Sequence, residues 1–274
     1  MMHRPIDFHR SMGYSISMKV LFLAKDHTDL GHLESYRDAG DELTVVSCYD
    51  AHLDFFTYKG YNVIDSTHFF DDFDDMTHDP NRIIIGNPPY GNGGNDAIRF
   101  LNRSAELSDT IIMVLPLSIR KVSAINKISP DIVCVDDIRL PDGTFPKGIH
   151  TVRQKWVRTN SPRPKIEVIR EHPDFEFLNR KDPEANVFVM RVGYAGKVMT
   201  EGYEKYRDSS TGHFFLRVND QKVIDALKEC EPEFRSAASE TNGLNVLSKD
   251  ELVRIYSNHI GYDLSKSTGS VFDL

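Results

Sequence analysis

The sequence is poor in cysteine and has no segment suited to a membrane. Its 274 residues include three cysteines, Cys48, Cys134 and Cys230, which are widely spaced and form no C-x-x-C pair. This pattern is typical of reduced thiols and gives no zinc-site signature. No apolar run approaches the roughly 20 residues of a membrane span, and the first residues lack the apolar segment of a signal peptide. The sequence therefore predicts a soluble, cytoplasmic protein.

The sequence also has no excess of basic over acidic side chains. The 33 basic and 41 acidic side chains give a formal net charge of -8, so contact with a nucleic acid would require a local basic patch. Two such patches are the segments 118–121, with Lys127 nearby, and 158–165. In the first patch, Ser118, Arg120 and Lys121 are candidate substrate contacts.

Metal-binding patterns are lacking as well. The acidic segment 71–75 (DDFDD) has no glycine and no spaced ligands of a calcium loop, and the 11 histidines include no H-E-x-x-H motif. We therefore expect no metal site.

Short apolar, β-rich runs alternate with helix-length segments over the first part of the chain. Strands are predicted at 19–24, 43–48, 61–65, 82–86, 110–116, 131–138 and 151–157. Alternation of strands and helices predicts an α/β class with a mostly parallel sheet covered on both faces. The predicted organisation is an N-terminal tail (1–17), a catalytic domain (18–158) and a C-terminal α+β region (159–274) that could recognise a target.

The segment 82–94, RIIIGNPPYGNGG, combines a predicted strand with a rigid corner. Pro88 and Pro89 fix φ and remove two backbone donors, which leaves carbonyl oxygens without local partners. The side-chain oxygen of Asn87 and the carbonyl of Pro88 could together accept the two hydrogens of one exocyclic amino group. Tyr90 offers a ring on which a planar substrate can stack. The glycines that follow allow a substrate or cofactor to approach the backbone.

This corner resembles the catalytic motif of S-adenosylmethionine-dependent N6-adenine DNA methyltransferases of phage and bacterial type. The resemblance extends over residues 80–218 and includes the segments LPLS, DIRLPDGTF and HFFLRV. It implies a class I methyltransferase-like, Rossmann-like fold, S-adenosylmethionine as cofactor, and DNA with a flipped adenine as partner, in restriction–modification or a phage setting. Asn87, Pro88, Pro89 and Tyr90 would be the catalytic residues, and Phe145 would close over the base.

The cofactor-binding part departs from the pattern of that family. The loop after the first strand reads AKDHTDLG and lacks the usual G-x-G, so its candidates are Asp26, Asp29 and Gly31. Asp50, after the second strand, is the candidate for the ribose hydroxyls. Either Asp65 or His68, after the third strand, is the candidate for the adenine of the cofactor.

Two alternative functions remain open from the sequence. The same corner could serve methylation of another planar amino group, in an RNA base or in a protein glutamine. The altered first loop would also suit a degenerate methyltransferase fold that binds a partner without turnover.

Overall fold

The protein consists of two compact units in the computed structural model, which describes residues 19–24, 34, 42–47, 52–65, 70, 77–144, 149–202, 212–241 and 245–264. The first unit comprises Met1–Ile119, Ser123–Phe145 and Thr151–Lys165, and the second comprises Arg120–Val122, Pro146–His150 and Ile166–Leu274. Among the described residues, no helix is long and apolar enough to cross a membrane.

A seven-stranded sheet forms the centre of the first unit. Its strands are β1 (Lys19–Ala24), β2 (Glu42–Ser47), β3 (Asn62–Asp65), β4 (Arg82–Gly86), β5 (Thr110–Pro116), β6 (Ile132–Arg139) and β7 (Thr151–Arg158). The strand order is β3-β2-β1-β4-β5-β7-β6, and β7 is antiparallel to both of its neighbours. The order 3-2-1-4-5 is that of a doubly wound α/β sheet. The predicted strands and the predicted α/β, Rossmann-like class are confirmed.

Burial on both faces explains why the central strands are almost continuously apolar. In β1, Leu21 and Leu23 belong to one core cluster, whereas Val20 and Phe22 belong to another. Because successive side chains of a strand point to opposite faces, both faces of β1 are covered. Helices supply the cover: α1 (Leu53–Tyr58) and α2 (Asn95–Leu107). The helical spacing of Ala97, Ile98, Leu101 and Ala105 predicts α2, and all four side chains are buried. A one-turn helix, α3 (Val122–Ile125), follows β5.

In its described residues, the second unit contains an antiparallel sheet and three helices. Its strands are β8 (Phe175–Leu178), β9 (Val187–Met190), β10 (Val198–Met199) and β11 (His213–Val218), in the order β10-β9-β11-β8. The helices are α4 (Gln221–Glu229), α5 (Glu231–Ser239) and α6 (Lys249–Ile260). They share one core with the sheet, in which Leu216, Phe234 and Val253 are buried.

Helix boundaries in the second unit follow from side-chain chemistry. Asp220 caps α4 by accepting from the backbone of Lys222, and Ser248 forms a capping box with Glu251 at the start of α6. The sequence predicts Ser248 as one cap and leaves Asn219 or Asp220 open as the other. The apolar pattern of 219–239 predicts one helix, but the segment forms two, since Pro232 in the first turn of α5 cannot continue the preceding helix.

Two glycines in the turn between β9 and β10 provide a matched test of packing. Gly193 and Gly196 both have positive φ, at 78° and 90°. A Cβ added at Gly196 would lie 2.7 Å from the Cβ of Phe234, whereas one added at Gly193 would meet nothing within 4 Å. Gly193→Ala should cost only the left-handed backbone strain, about 1 kcal/mol. Gly196→Ala should lower the free energy of unfolding by about 1–3 kcal/mol more, from overpacking.

Chemical denaturation of the two variants measures this difference. Equal losses would show that the turn relaxes away from Phe234 and that its tight packing is not a constraint on the second unit.

Candidate active site

The Asn-Pro-Pro-Tyr corner begins where β4 passes very close to β1. A Cβ added at Gly86 would lie 2.5 Å from both the Cβ and the carbonyl oxygen of Leu23, so a larger residue would push the strands apart. The next residue, Asn87, donates its backbone N–H to the carbonyl of Leu23 at 3.3 Å. The corner is therefore fixed to the carboxyl end of a central, buried strand, where ligands bind in sheets of this type.

Within the corner, two side chains are joined by a hydrogen bond. The hydroxyl of Tyr90 donates to Oδ1 of Asn87 at 2.9 Å. An amide oxygen has two lone pairs, so this bond orients the Asn87 amide and leaves a second acceptor position. Pro88 is buried, while Asn87, Pro89 and Tyr90 are partly exposed. Among the described residues, no donor contacts the Pro88 carbonyl. The corner can accept hydrogen bonds, and its only ionisable group is the Tyr90 phenol.

The exit of the corner is fixed by the following helix. The carbonyl of Tyr90 accepts from the backbone N–H groups of Asp96 and Ala97, in the first turn of α2, at 3.2 and 3.4 Å. These N–H groups have no partner inside the helix, so the Tyr90 carbonyl satisfies them. The connecting glycines include Gly94, where an added Cβ would lie 3.3 Å from Pro116 and 3.6 Å from Oγ of Ser118. Ser118, predicted as a substrate contact, thus lies beside the glycine-rich loop.

Asp65 is the one predicted cofactor residue that the structure describes. It is the last residue of β3 and pairs in register with Ser47 of β2, which in turn pairs with Ala24 of β1. Asp65 and Asn87 therefore occupy the same edge of the sheet, separated by three strand spacings, or about 14 Å. The other cofactor candidates, and the predicted closing aromatic, lie outside the described residues: Asp26, Asp29, Gly31, Asp50, His68 and Phe145.

The two predicted phosphate contacts, Arg120 and Lys121, have partners within the second unit. Arg120 forms an ion pair with Glu240 at 3.1 Å. The ammonium group of Lys121 contacts Glu251 at 2.5 Å and donates to the carbonyls of Ala237 and Val246 at 2.9 and 3.1 Å. The Lys121 side chain is only 13% exposed. All three of its N–H donors can thus be satisfied inside the protein, and a DNA phosphate would have to displace one of these acceptors.

Comparison with known proteins gives similarity at the level of solved structures only. No protein-family model matches the sequence, and no curated protein matches it either. A protein from Pyrococcus horikoshii that is assigned as an RNA methyltransferase is 18% identical, with a TM-score of 0.38, over 54% of this chain and 77% of that one. TrmN from Thermus thermophilus is 11% identical, with a TM-score of 0.39, over 52% of this chain and 45% of its own.

The M protein of the type I restriction enzyme EcoKI is 12% identical, with a TM-score of 0.38, over 52% of this chain and 40% of its own. This chain thus spans less than half the length of TrmN and of the EcoKI protein. At such low identities and TM-scores, the similarity does not determine the substrate.

The contacts of Lys121 predict a structural role that can be measured. Lys121→Met should lower the free energy of unfolding by about 2–3 kcal/mol, since the partly buried Glu251 carboxylate loses its cationic partner and the Ala237 and Val246 carbonyls each lose one donor. Arg120→Ala is the matched control, because its ion pair is more exposed and should contribute about 1 kcal/mol or less. Urea denaturation of both variants tests the difference. Equal stability of the Lys121 variant and wild type would instead leave this lysine available for an external ligand.

Proposed function

We propose that this protein transfers a methyl group from S-adenosylmethionine to the N6 amino group of adenine in DNA. The observation that carries the proposal is the corner at the carboxyl end of β4, in which the Asn87 side-chain oxygen is bonded to the Tyr90 hydroxyl and the Pro88 carbonyl has no donor among the described residues. Support comes from its two anchors, the Leu23 carbonyl at one end and the first turn of α2 at the other.

The residues of the corner would bind and orient the amino group. Oδ1 of Asn87 and the carbonyl of Pro88 would each accept one amino hydrogen, which concentrates electron density on the nitrogen and directs its lone pair toward the methyl donor. Tyr90 would stack on the flipped base and hold it in line. Both acceptors are neutral, so they stabilise the positive charge that develops on nitrogen, and the proton that the methylated amino group then loses would pass to water.

The residues described at the sheet edge suit the proposed cofactor. S-adenosylmethionine supplies a methyl group that is already activated by its sulfonium charge, so the chain itself has to provide orientation and hydrogen bonds. Asp65 provides a carboxylate acceptor on the same edge as Asn87, suited to an amino or hydroxyl group. Asp26, Asp29, Gly31, Asp50 and His68 are the proposed further contacts.

DNA is proposed as substrate because the corner resembles that of N6-adenine enzymes. An RNA base or a glutamine side chain would offer the same planar amino group to the same acceptors. A binding protein without turnover would retain the corner but transfer no methyl group. These alternatives are separable by supplying duplex DNA, RNA and protein in parallel with labelled S-adenosylmethionine.

Replacement of Asn87 is the most direct test of the catalytic assignment. Asn87→Ala should reduce methyl transfer to adenine in DNA by about two orders of magnitude or more, because an oriented acceptor is lost at the reacting nitrogen. Asn92→Ala is the control, as it makes the same chemical change at an exposed position of the same loop and should retain activity. Transfer of label into DNA under single-turnover conditions is the measurement.

Undiminished transfer by a well-folded Asn87→Ala protein would refute the catalytic role of the corner. If methyl transfer occurs only to RNA or only to protein, the catalytic role of the corner stands and the proposed substrate is wrong. If the wild-type protein neither transfers a methyl group nor binds the cofactor with DNA present, the alternative function, a binding protein without turnover, is favoured.

The hydrogen bond between Tyr90 and Asn87 makes a separate prediction. Tyr90→Phe retains the stacking ring but removes the hydroxyl that orients the Asn87 amide. We expect kcat to fall about fivefold, corresponding to roughly 1 kcal/mol, with little change in KM. Tyr90→Ala should also raise KM, since the stacking surface is lost. If Tyr90→Phe matches the wild type in kcat, the hydroxyl does not position Asn87 during the reaction.

A further inference from the structure

The second unit contains a cleft of about 670 Å³ that has no part in the proposed methyl transfer. It lies where the segment before β8, the end of β11 and the start of α6 meet. Its lining includes Arg170, His172, Phe177, Asn219 and Lys249. The cleft is thus polar and partly aromatic, and every residue that lines it belongs to the second unit.

His172, one of the residues that line the cleft, has a buried ring nitrogen without a partner among the described residues. Its side chain is fully buried, and Nδ1 accepts from the backbone N–H of Asp174 at 3.1 Å. Burial lowers the pKa of His172, and the nearby Asp174 carboxylate only partly opposes this shift. The ring is therefore neutral near pH 7 and carries its hydrogen on Nε2. Nε2 has no partner among the described residues, which is unusual for a buried polar group.

Lys249 brings a positive charge without a matching carboxylate. Its Nζ lies 4.3 Å from the centre of the Phe177 ring, and no ion pair of Lys249 occurs among the described residues. Burial lowers the pKa of Lys249, and the positive charges of Arg170 and Arg191 lower it further. Both guanidinium groups thus repel the Lys249 ammonium group, and a bound anion would relieve this repulsion.

The carboxylates that line the cleft do not neutralise Lys249. Glu176 forms an ion pair with Arg217, and Asp174 accepts a hydrogen bond from the Tyr256 hydroxyl at 2.7 Å. Glu171, the third carboxylate of the lining, is exposed. None of the three contributes to the pKa shift of Lys249. The positive charge at the start of α6 therefore lacks a counterion in the described structure.

We propose that this cleft binds a phosphoryl group. Lys249 and Arg170 would supply the charge, while Nε2–H of His172 and the side chain of Asn219 would donate hydrogen bonds. A phosphoryl group suits this set because its several acceptor oxygens can engage an ammonium, a guanidinium and neutral donors at once. The group could belong to a free nucleotide or to a nucleic-acid backbone, which share this chemistry. The proposal does not depend on methyl transfer.

Binding of inorganic phosphate and of adenosine 5′-monophosphate to the full chain tests the proposal. Calorimetric titration should show saturable binding, and both Arg170→Ala and Lys249→Ala should weaken it about tenfold or more. Lys222→Ala removes the same charge as Lys249→Ala from an exposed position of the second unit and should leave binding unchanged. Because Arg170 is exposed, its replacement should not disturb folding. Nitrogen NMR should show the Nε2–H tautomer of His172, with a shift of that resonance as phosphate is added.

Competition with duplex DNA distinguishes the two sources of the phosphoryl group. Displacement of inorganic phosphate by DNA would assign the cleft to a backbone phosphate. Tight binding of the mononucleotide without displacement by DNA would assign it to a free nucleotide. Either result supports the site. Absence of saturable binding at millimolar phosphate, or equal losses in the Lys222 and Lys249 variants, would overturn it.

Discussion

The candidate active site depends on the close approach of β4 to β1 at Gly86. Because Gly86 has no side chain, the carboxyl end of β4 can lie directly against Leu23. The Asn87 N–H then bonds to the Leu23 carbonyl, and the two prolines leave the backbone little freedom beyond that point. The Tyr90 carbonyl is held in turn by the first turn of α2. A corner fixed at both ends can keep two acceptors oriented without rearrangement, which is what electrostatic preorganisation requires.

Features set by local sequence were predictable, and features set by distant contacts were not. The seven strands of the first unit follow from apolar runs, and Trp156, whose place on a predicted strand indicates a core position, is buried. The antiparallel insertion of β7 between β5 and β6 has no local signal, since strand pairing is decided by packing between segments distant in sequence. The break at Pro232 was visible in the sequence, but the apolar pattern on both sides obscured it.

The same distinction applies to the site residues. The chemistry of the corner is local, because Asn87 to Tyr90 are consecutive. The hydrogen bond between Tyr90 and Asn87 was not predicted, although their spacing of three positions makes it possible. Lys121 is predicted to contact a DNA phosphate because the sequence shows it only as part of a basic cluster. Its ion-pair partner Glu251 lies 130 positions further along the chain, so no local pattern could reveal that this charge has a partner.

The two units differ in the electrostatics that they offer a ligand. The corner uses neutral acceptors, whose strength as acceptors does not change with pH near neutrality. Lys249 and Arg170 instead present positive charge that no carboxylate pairs with in the part of the chain that the structure describes, in a protein whose formal net charge is -8. In such a protein, long-range attraction of a polyanion is weak, so an anion must be held by a few close, partly desolvated cations. Lys249 meets that condition, since it is partly buried and lies close enough to two guanidinium groups to be repelled by them, and a bound anion would oppose that repulsion.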